Sequence, residues 1–148
     1  MPPAAHCIFC DIIRGAAEVS VCYEDAHALA FMDIQPVNPG HVLVASKTHY
    51  ESLLDLPPDT ASQLYTVVAR LAPIVSAAAH ADGMNIIVSS GAAAGQDVYH
   101  FHIHLIPRKT GDGFEVPLPF PESSVPPRTA LDAMAARIIG VLRDPMRQ

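Results

Sequence analysis

Three histidines alternate with apolar residues in the stretch YHFHIHL, residues 99–105. Successive side chains of a β-strand point to opposite faces, so this spacing places His100, His102 and His104 on one face. The aromatic and aliphatic residues between them share the other face, and they match no helical stripe. The pattern therefore predicts a strand with an apolar back and an imidazole front.

Other stretches predict the rest of an α+β fold. Runs rich in strand-forming residues cover 18–25, 27–34, 40–47 and 84–90. The stretch PPDTASQ predicts a helix capped by Asp59 or Thr60, with Gln63 completing a capping box. Pro73 predicts a kink or an early end. The helical stripe comprises Leu64, Val67, Val68, Leu71, Val75 and Ala78. A proline-rich loop, VPLPFPESSVPP, precedes a last helix, and the arrangement predicts an antiparallel sheet with segregated helices.

Length and charge limit the class of protein. A chain of 148 residues predicts a single domain over 1–148. Its apolar runs are too short for a membrane span, and MPPAAHCIFC has no export signal, so we expect a cytoplasmic protein. The net charge of −6 argues against a nucleic-acid partner but leaves a small anionic ligand open.

Three cysteines, an odd number, argue against a disulfide framework in a chain that shows no export signal. Cys22 lies in an apolar run and is expected to be a small buried hydrophobe. Cys7 and Cys10 form a C-x-x-C pair, which leaves a redox dithiol, half of a zinc site or coincidence as alternatives. Zinc is favoured if two more nitrogen or sulfur ligands lie elsewhere.

The clustering of three histidines on one strand face favours a chemical role for them over a purely structural one. Histidines at alternate strand positions can chelate one metal ion, or one of them can attack phosphorus as a nucleophile. The preceding loop, SSGAAAGQDV, contains Gly91 and Gly95, which can bring main-chain N–H groups close to an anion. By itself this loop is a weak signal.

The stretch GQDVYHFHIHLIPR resembles the signature of the histidine triad superfamily, in which Gly-Gln precedes three alternating histidines. CIFCDIIRG and YEDAHALAFMDIQPVNPGHVLVASKTH are similar, in order and approximate spacing, to the branch that includes the nucleoside phosphoramidases. The resemblance covers roughly residues 7–108, whereas 109–148 carry no usable motif. It implies the five-stranded antiparallel sheet of that family and a homodimer.

The resemblance also implies a hydrolase or transferase that binds a purine nucleotide and acts on the α-phosphate of a nucleoside monophosphate conjugate. His102 would form a nucleotidyl-histidine intermediate that water resolves, and His104 would contact the phosphate. The backbone of Gly95, Gln96, Asp97 and Val98 would hold phosphate oxygens. Asp33 matches the family's ribose-binding acid, and the apolar residues around the base would be Ile8, Phe9, Phe31 and Ile34.

Bacterial members of this branch resemble the chain in a four-ligand set, which here is Cys7, Cys10, His49 and His100. Thiolate and imidazole ligands suit tetrahedral zinc in a closed structural site. That assignment leaves His102 and His104 for chemistry. The remaining histidines are expected to be structural or solvent-facing: His6, His27, His41 and His80.

Two positions depart from the family pattern. Ser89 stands where relatives often have an Asn that faces the phosphate, and Asp97 stands where many have Ser or Thr. A carboxylate beside a phosphate is repelled unless it turns away or keeps a proton. Cleavage of a phosphoramidate-type conjugate is favoured. A dinucleoside polyphosphate hydrolase and a nucleotide-binding regulatory module with weak catalysis remain alternatives.

Overall fold

The computed structural model describes residues 6–116, 118 and 125–147, which form two compact units divided between Phe114 and Glu115. The elements of the first unit are α1 (Ile8–Ile13), β1 (Val21–Glu24), β2 (Ala28–Met32), β3 (Val42–Ser46), α2 (Pro58–Ala78), β4 (Gly83–Ile87) and β5 (His102–Arg108). The second unit holds α3 (Arg128–Leu142) and a short turn at Pro145–Arg147. The predicted proline-rich loop lies largely outside the described residues, and the single domain over 1–148 stays a prediction.

The five strands form one sheet in the order β1-β2-β3-β5-β4, and every neighbouring pair is antiparallel. This arrangement confirms the predicted α+β fold. The first connection is a tight turn, because the Asp25 carboxylate accepts the backbone N–H groups of His27 and Ala28 at 2.7 and 2.8 Å. The histidine strand β5 lies inside the sheet, between β3 and β4, and it begins at His102 rather than at residue 99.

Side chains along the strands point alternately to two faces of the sheet, and each face packs against a helix. One face packs against the apolar side of α2, and there Val44, Ile103 and Leu105 lie in the same core cluster as the buried helix residues Leu64 and Val68. The opposite face packs against α1, through a second cluster that comprises Cys7, Phe9, Leu29, Phe31, Leu43 and Ala45. Because side chains alternate along β5, His102 and His104 lie on this second face.

The helix α2 buries most of its predicted stripe but differs from its prediction at its N-terminal cap and at Pro73. It begins at Pro58 with Pro57 as N-cap and without a side-chain cap, so the predicted capping box is wrong. Proline is favoured at the first helical position, here Pro58, because a backbone N–H at that position would have no partner within the helix. Pro73 lies inside the helix, which continues to Ala78. Pro73 has no N–H, so the carbonyl of Ala69 lacks its helical donor. Both residues are exposed, so water can hydrate that carbonyl.

In the second unit, α3 confirms the predicted last helix. Its apolar residues are exposed, among them Leu131, Met134 and Ile138. Among the described helices, none combines the length and the apolar character that a membrane crossing requires.

Candidate active site and metal centre

Cys7 and Cys10 are placed by α1, a six-residue helix that the sequence did not predict. Cys7 is its N-cap, and its Sγ accepts the backbone N–H of Cys10 at 3.4 Å. Phe9, on the buried side of this helix, packs edge-on against Phe31 of β2, with ring centroids 5.2 Å apart. The helix therefore holds both thiols against the sheet.

The two thiols meet two imidazoles there. The ligand atoms of Cys7, Cys10, His49 and His100 all lie within 4.8 Å of one another. The Nδ1 atoms of His49 and His100 are 3.2 Å apart, and Cys10 Sγ lies 3.3 and 3.5 Å from them. Zinc bonds of about 2.0 to 2.3 Å in a tetrahedron require ligand separations of about 3.3 to 3.8 Å. These distances fit zinc.

The second ring nitrogen of His100 supports the same conclusion. Its Nε2 donates to the carbonyl of Ser46 at 2.6 Å, so Nε2 carries the proton and Nδ1 keeps a lone pair for a metal. Burial lowers the pKa of His100 to about 4, which keeps the ring neutral. Burial and the neighbouring Cys7 raise the pKa of Cys10 to about 11, so a thiolate there requires a cation.

Cys22 lies outside this cluster. It is exposed on β1, at the edge of the sheet, where its thiol donates to the carbonyl of Ala30 at 3.4 Å. The prediction of a buried side chain was wrong. The apolar run that suggested burial gives no information on whether an edge strand is covered by another element.

His102 presents one ring nitrogen for chemistry. It is buried at 7% exposure, and its Nδ1 donates to the carbonyl of His100 at 2.7 Å. Because a carbonyl only accepts, the proton of the neutral ring lies on Nδ1, and Nε2 carries the lone pair that a nucleophile needs. The ring packs against Phe9 and His104, with centroids 5.0 and 4.9 Å away.

His104 is joined to His41, which the sequence had assigned to structure or solvent. The backbone N–H of Val37 donates to His41 Nδ1 at 3.1 Å, so the proton of this neutral ring lies on Nε2. His41 Nε2 lies 2.9 Å from His104 Nδ1 and therefore donates to it. His104 must then carry its own proton on Nε2. Burial lowers the pKa of His104 to about 4 and also lowers the pKa of His41, so both rings stay neutral.

This arrangement argues against a second metal site. Asp33 lies beside the pair, with its Oδ2 3.4 Å from His41 Nε2 and 4.0 Å from His104 Nδ1, so the three groups could in principle surround a cation. A metal on His41 Nε2 would require Nδ1 to be protonated, and that proton would collide with the N–H of Val37. The cluster is a hydrogen-bonded relay, in contrast to the cysteine and histidine cluster.

A cavity of about 350 Å³ opens at these histidines. Of the predicted nucleotide-binding residues, its lining includes Ile8, Phe9, Phe31, Asp33, Ile34, Asp97, Val98, His102 and His104. Phe9 and Phe31 form a buried inner wall, whereas Ile34 is 93% exposed at the rim. Ile8, which is 50% exposed, lines the same cavity, and an exposed apolar patch beside a cavity is typical of a surface that a ligand covers.

The glycine-rich loop is held mainly by Gln96. Its side chain is buried, accepts the N–H of Gly91 at 2.7 Å, and donates to the carbonyls of Glu51 and Val98 at 2.6 and 3.1 Å. Gly95 has a φ of +82°, a conformation that favours glycine. Gly95, Gln96 and Ser89 do not line the cavity, so Gln96 shapes the loop rather than facing a ligand there.

The Asp97 side chain accepts a hydrogen bond from a backbone N–H that was expected to bind phosphate. Its Oδ1 accepts the N–H of Val98 at 2.9 Å. An anion that is to use this N–H must displace the carboxylate. Asp97 lines the cavity, and its charge also acts on the His104 ring.

Sequence reasoning missed His41 and Glu18. His41 stands two residues before Leu43, which pairs with His104 across β3 and β5, so the strand period brings the two imidazoles to one face. Pairing of the two strands would have been the signal. Glu18 lines the cavity from the segment before β1, and no pattern in the sequence marks it.

The fold and the site define a class of protein that has a pair of histidines at a small cavity, next to a cluster of two cysteines and two histidines. A family model described as "HIT domain" matches residues 14–111. The chain belongs to the HIT, or histidine triad, family.

Two curated relatives illustrate the similarity. An uncharacterized HIT-like protein of Methanocaldococcus jannaschii is 45% identical over 107 residues, which is 72% of this chain and 82% of that protein. The adenylylsulfatase HINT3 of Arabidopsis thaliana is 40% identical over 106 residues, which is 72% of this chain and 54% of that protein.

Solved structures support the same assignment. A zinc-bound histidine triad family protein from Mycobacterium smegmatis superimposes with a TM-score of 0.70 at 36% identity, over 91% of this chain and 96% of that chain. A histidine triad nucleotide-binding protein from Candida albicans superimposes with a TM-score of 0.82 at 31% identity, over 93% and 97%.

Proposed function

We propose that this protein hydrolyses a purine nucleoside monophosphate conjugate of the phosphoramidate type. His102 Nε2 attacks the α-phosphorus, the bond from phosphorus to the leaving nitrogen breaks, and the amine departs with a proton taken from solvent, which the attacking water of the second step replaces. Water then attacks the nucleotidyl-histidine, which releases the nucleoside monophosphate and restores the imidazole. The observation that carries the proposal is the Nδ1–H of His102 on the His100 carbonyl, which leaves Nε2 unprotonated at the cavity.

The neighbouring groups support these steps. Positive charge develops on the His102 ring as Nε2 attacks, and the bond from Nδ1 to a carbonyl strengthens as that charge grows. The relay from Val37 through His41 makes His104 a neutral N–H donor, suited to a phosphate oxygen. Asp33 keeps Oδ2 available for the ribose hydroxyls, while its Oδ1 accepts the N–H of Gln35 at 2.8 Å.

The apolar walls fit a purine base. Phe9 and Phe31 offer a buried aromatic wall, and Ile8 and Ile34 offer exposed aliphatic surface at the rim. Burial of these side chains by a flat base removes apolar area from water at about 25 cal/mol per Å². The cavity volume lies within the range of about 300 to 1,000 Å³ typical of ligand sites.

Zinc in this proposal is structural. Cys7, Cys10, His49 and His100 would hold it and would leave no ligand position for water, so it would supply cross-linking rather than Lewis-acid chemistry. It would tie α1, and with it Phe9, to the start of the histidine strand. His100 also offers its carbonyl to His102, so this tie positions the nucleophile.

The test is hydrolysis of an adenosine phosphoramidate by purified protein, followed by chromatography of released AMP. His102→Ala should abolish turnover while keeping AMP binding, and trapping of a covalent nucleotidyl adduct should fail in that variant. Diadenosine polyphosphate and adenylyl sulfate, the latter suggested by the name of the Arabidopsis relative, belong in the same panel. Preference for either would replace the phosphoramidate assignment.

A nucleotide-binding regulatory module is the second candidate. The observation that favours it is Asp97, which occupies the Val98 N–H and adds negative charge where phosphate would bind. Tight AMP binding by calorimetry without turnover of any compound in the panel would establish this alternative.

A further inference from the structure

The cavity carries an unusual set of charges for a phosphate site. Its described lining contains three carboxylates, those of Glu18, Asp33 and Asp97, and neither lysine nor arginine. Its two imidazoles are His102 and His104, and burial keeps His104 neutral. The formal charge of the lining at neutral pH is therefore negative.

Asp97 is the most consequential of these acids. It is exposed, and no lysine or arginine in the described part of the chain pairs with it. Its hydrogen bond to the Val98 N–H favours a position of the carboxylate beside the cavity. Asp33 differs, because it lies next to His41 and accepts from Gln35.

We propose that Asp97 makes the cavity select conjugates whose leaving group is positively charged and disfavour leaving groups that carry extra negative charge. This inference rests on the proposed function. Asp97 forms no bond to the reacting atoms and acts through its charge. A positively charged substituent on the leaving amine stays on that amine when the bond from nitrogen to phosphorus breaks.

The size of the effect follows from Coulomb's law. At a separation of about 7 Å and an effective dielectric constant of about 40, one unit of charge changes a rate or a binding constant about sevenfold. The site is open to water, so the effect should weaken as salt rises and the Debye length falls to about 8 Å at physiological ionic strength. A dinucleoside polyphosphate, with several negative charges, should be a poor substrate for the same reason.

Three adenosine phosphoramidates of similar size test the proposal, with ethylenediamine, propylamine and β-alanine as leaving amines. Their substituents are positive, neutral and negative. For the wild type, kcat/KM should fall in that order. Asp97→Asn retains an oxygen that can accept the Val98 N–H but lacks the charge. The positive and negative compounds differ by two units of charge, so the ratio between them should fall by about fiftyfold at low salt and by about fivefold at physiological ionic strength.

The matched control is Asp59→Asn, an exposed acid in the first turn of α2 outside the cavity lining, which should leave the ratio unchanged. Equal kcat/KM values for the three compounds, or a ratio that Asp97→Asn does not change, would overturn the charge selection. If the wild type hydrolyses none of them, the proposed function fails. Calorimetric affinities of the same compounds then test the selection separately, and affinities independent of charge, or no binding at all, would overturn it.

Discussion

His41 should fix the protonation of His104, and replacing it should reduce activity without removing any group that touches phosphate. In the structure its Nε2–H donates to His104 Nδ1 at 2.9 Å and thereby keeps the other proton on His104 Nε2. His41→Leu removes that donor. His104 can then place its proton on Nδ1, which leaves a lone pair on Nε2, where the proposed mechanism needs a donor for a phosphate oxygen.

The magnitude follows from one hydrogen bond. A net value of about 0.5 to 1.5 kcal/mol shifts the tautomer ratio of His104 about twofold to twelvefold. We therefore expect kcat/KM to fall by up to about tenfold in His41→Leu. The loss is far smaller than the complete loss expected for His102→Ala. Stability should fall by about 1 kcal/mol, because His104 Nδ1 loses its partner but is only partly buried.

His41→Gln is the matched rescue. The glutamine amide reaches about as far as the imidazole Nε2 and can donate to His104 Nδ1. Its kcat/KM should lie closer to the wild-type value than that of His41→Leu. Long-range nitrogen–proton NMR correlations of ring-labelled histidine should place the His104 proton on Nε2 in the wild type and in His41→Gln, and on both nitrogens in His41→Leu.

Two results would refute this reasoning. An NMR spectrum of the wild type with the His104 proton on Nδ1 would mean that the relay runs in the opposite direction. Equal kcat/KM values for His41→Leu and the wild type, with the same tautomer in both, would show that His41 does not control His104.

Further outcomes follow from the metal cluster and the buried imidazoles. Metal analysis should find about one zinc per chain in the wild type and in the control Cys22→Ser, but none in Cys10→Ser. Cys10→Ser should also unfold at a lower temperature. Zinc that persists in Cys10→Ser and disappears in His102→Ala would contradict the assignment. Thermal stability should fall as the pH drops from about 6.5 towards about 4. The unfolded chain binds protons on its histidines in that range, whereas the pKa of folded His104 lies at about 4. His104→Gln should flatten this dependence, and an unchanged pH profile would show that His104 is not held neutral by folding.

Local patterns were sufficient for much of the fold. The alternation in YHFHIHL predicted a strand with its imidazoles on one face, and His102 and His104 share one face of β5 although the strand begins only after His100. Alternation depends only on the chain's own geometry, so it can be inferred without knowing the partner strands. Helix α1 was not predictable in this way, because six residues are too few for a periodic stripe.

The sequence by itself identified the family, because the triad signature consists of residue types at fixed spacing, and the resemblance to that family implied the candidate nucleophile His102 and the candidate metal ligands. Only the tertiary structure decided which ring nitrogen of His100 and His104 carries a proton, since their partners, the carbonyl of Ser46 and the ring of His41, lie 54 and 63 residues away along the chain. The bond from the Val98 N–H to Asp97 Oδ1 joins neighbouring residues, yet no pattern in the sequence marked it. Hydrogen bonds have direction, and direction is set by how distant segments meet in space.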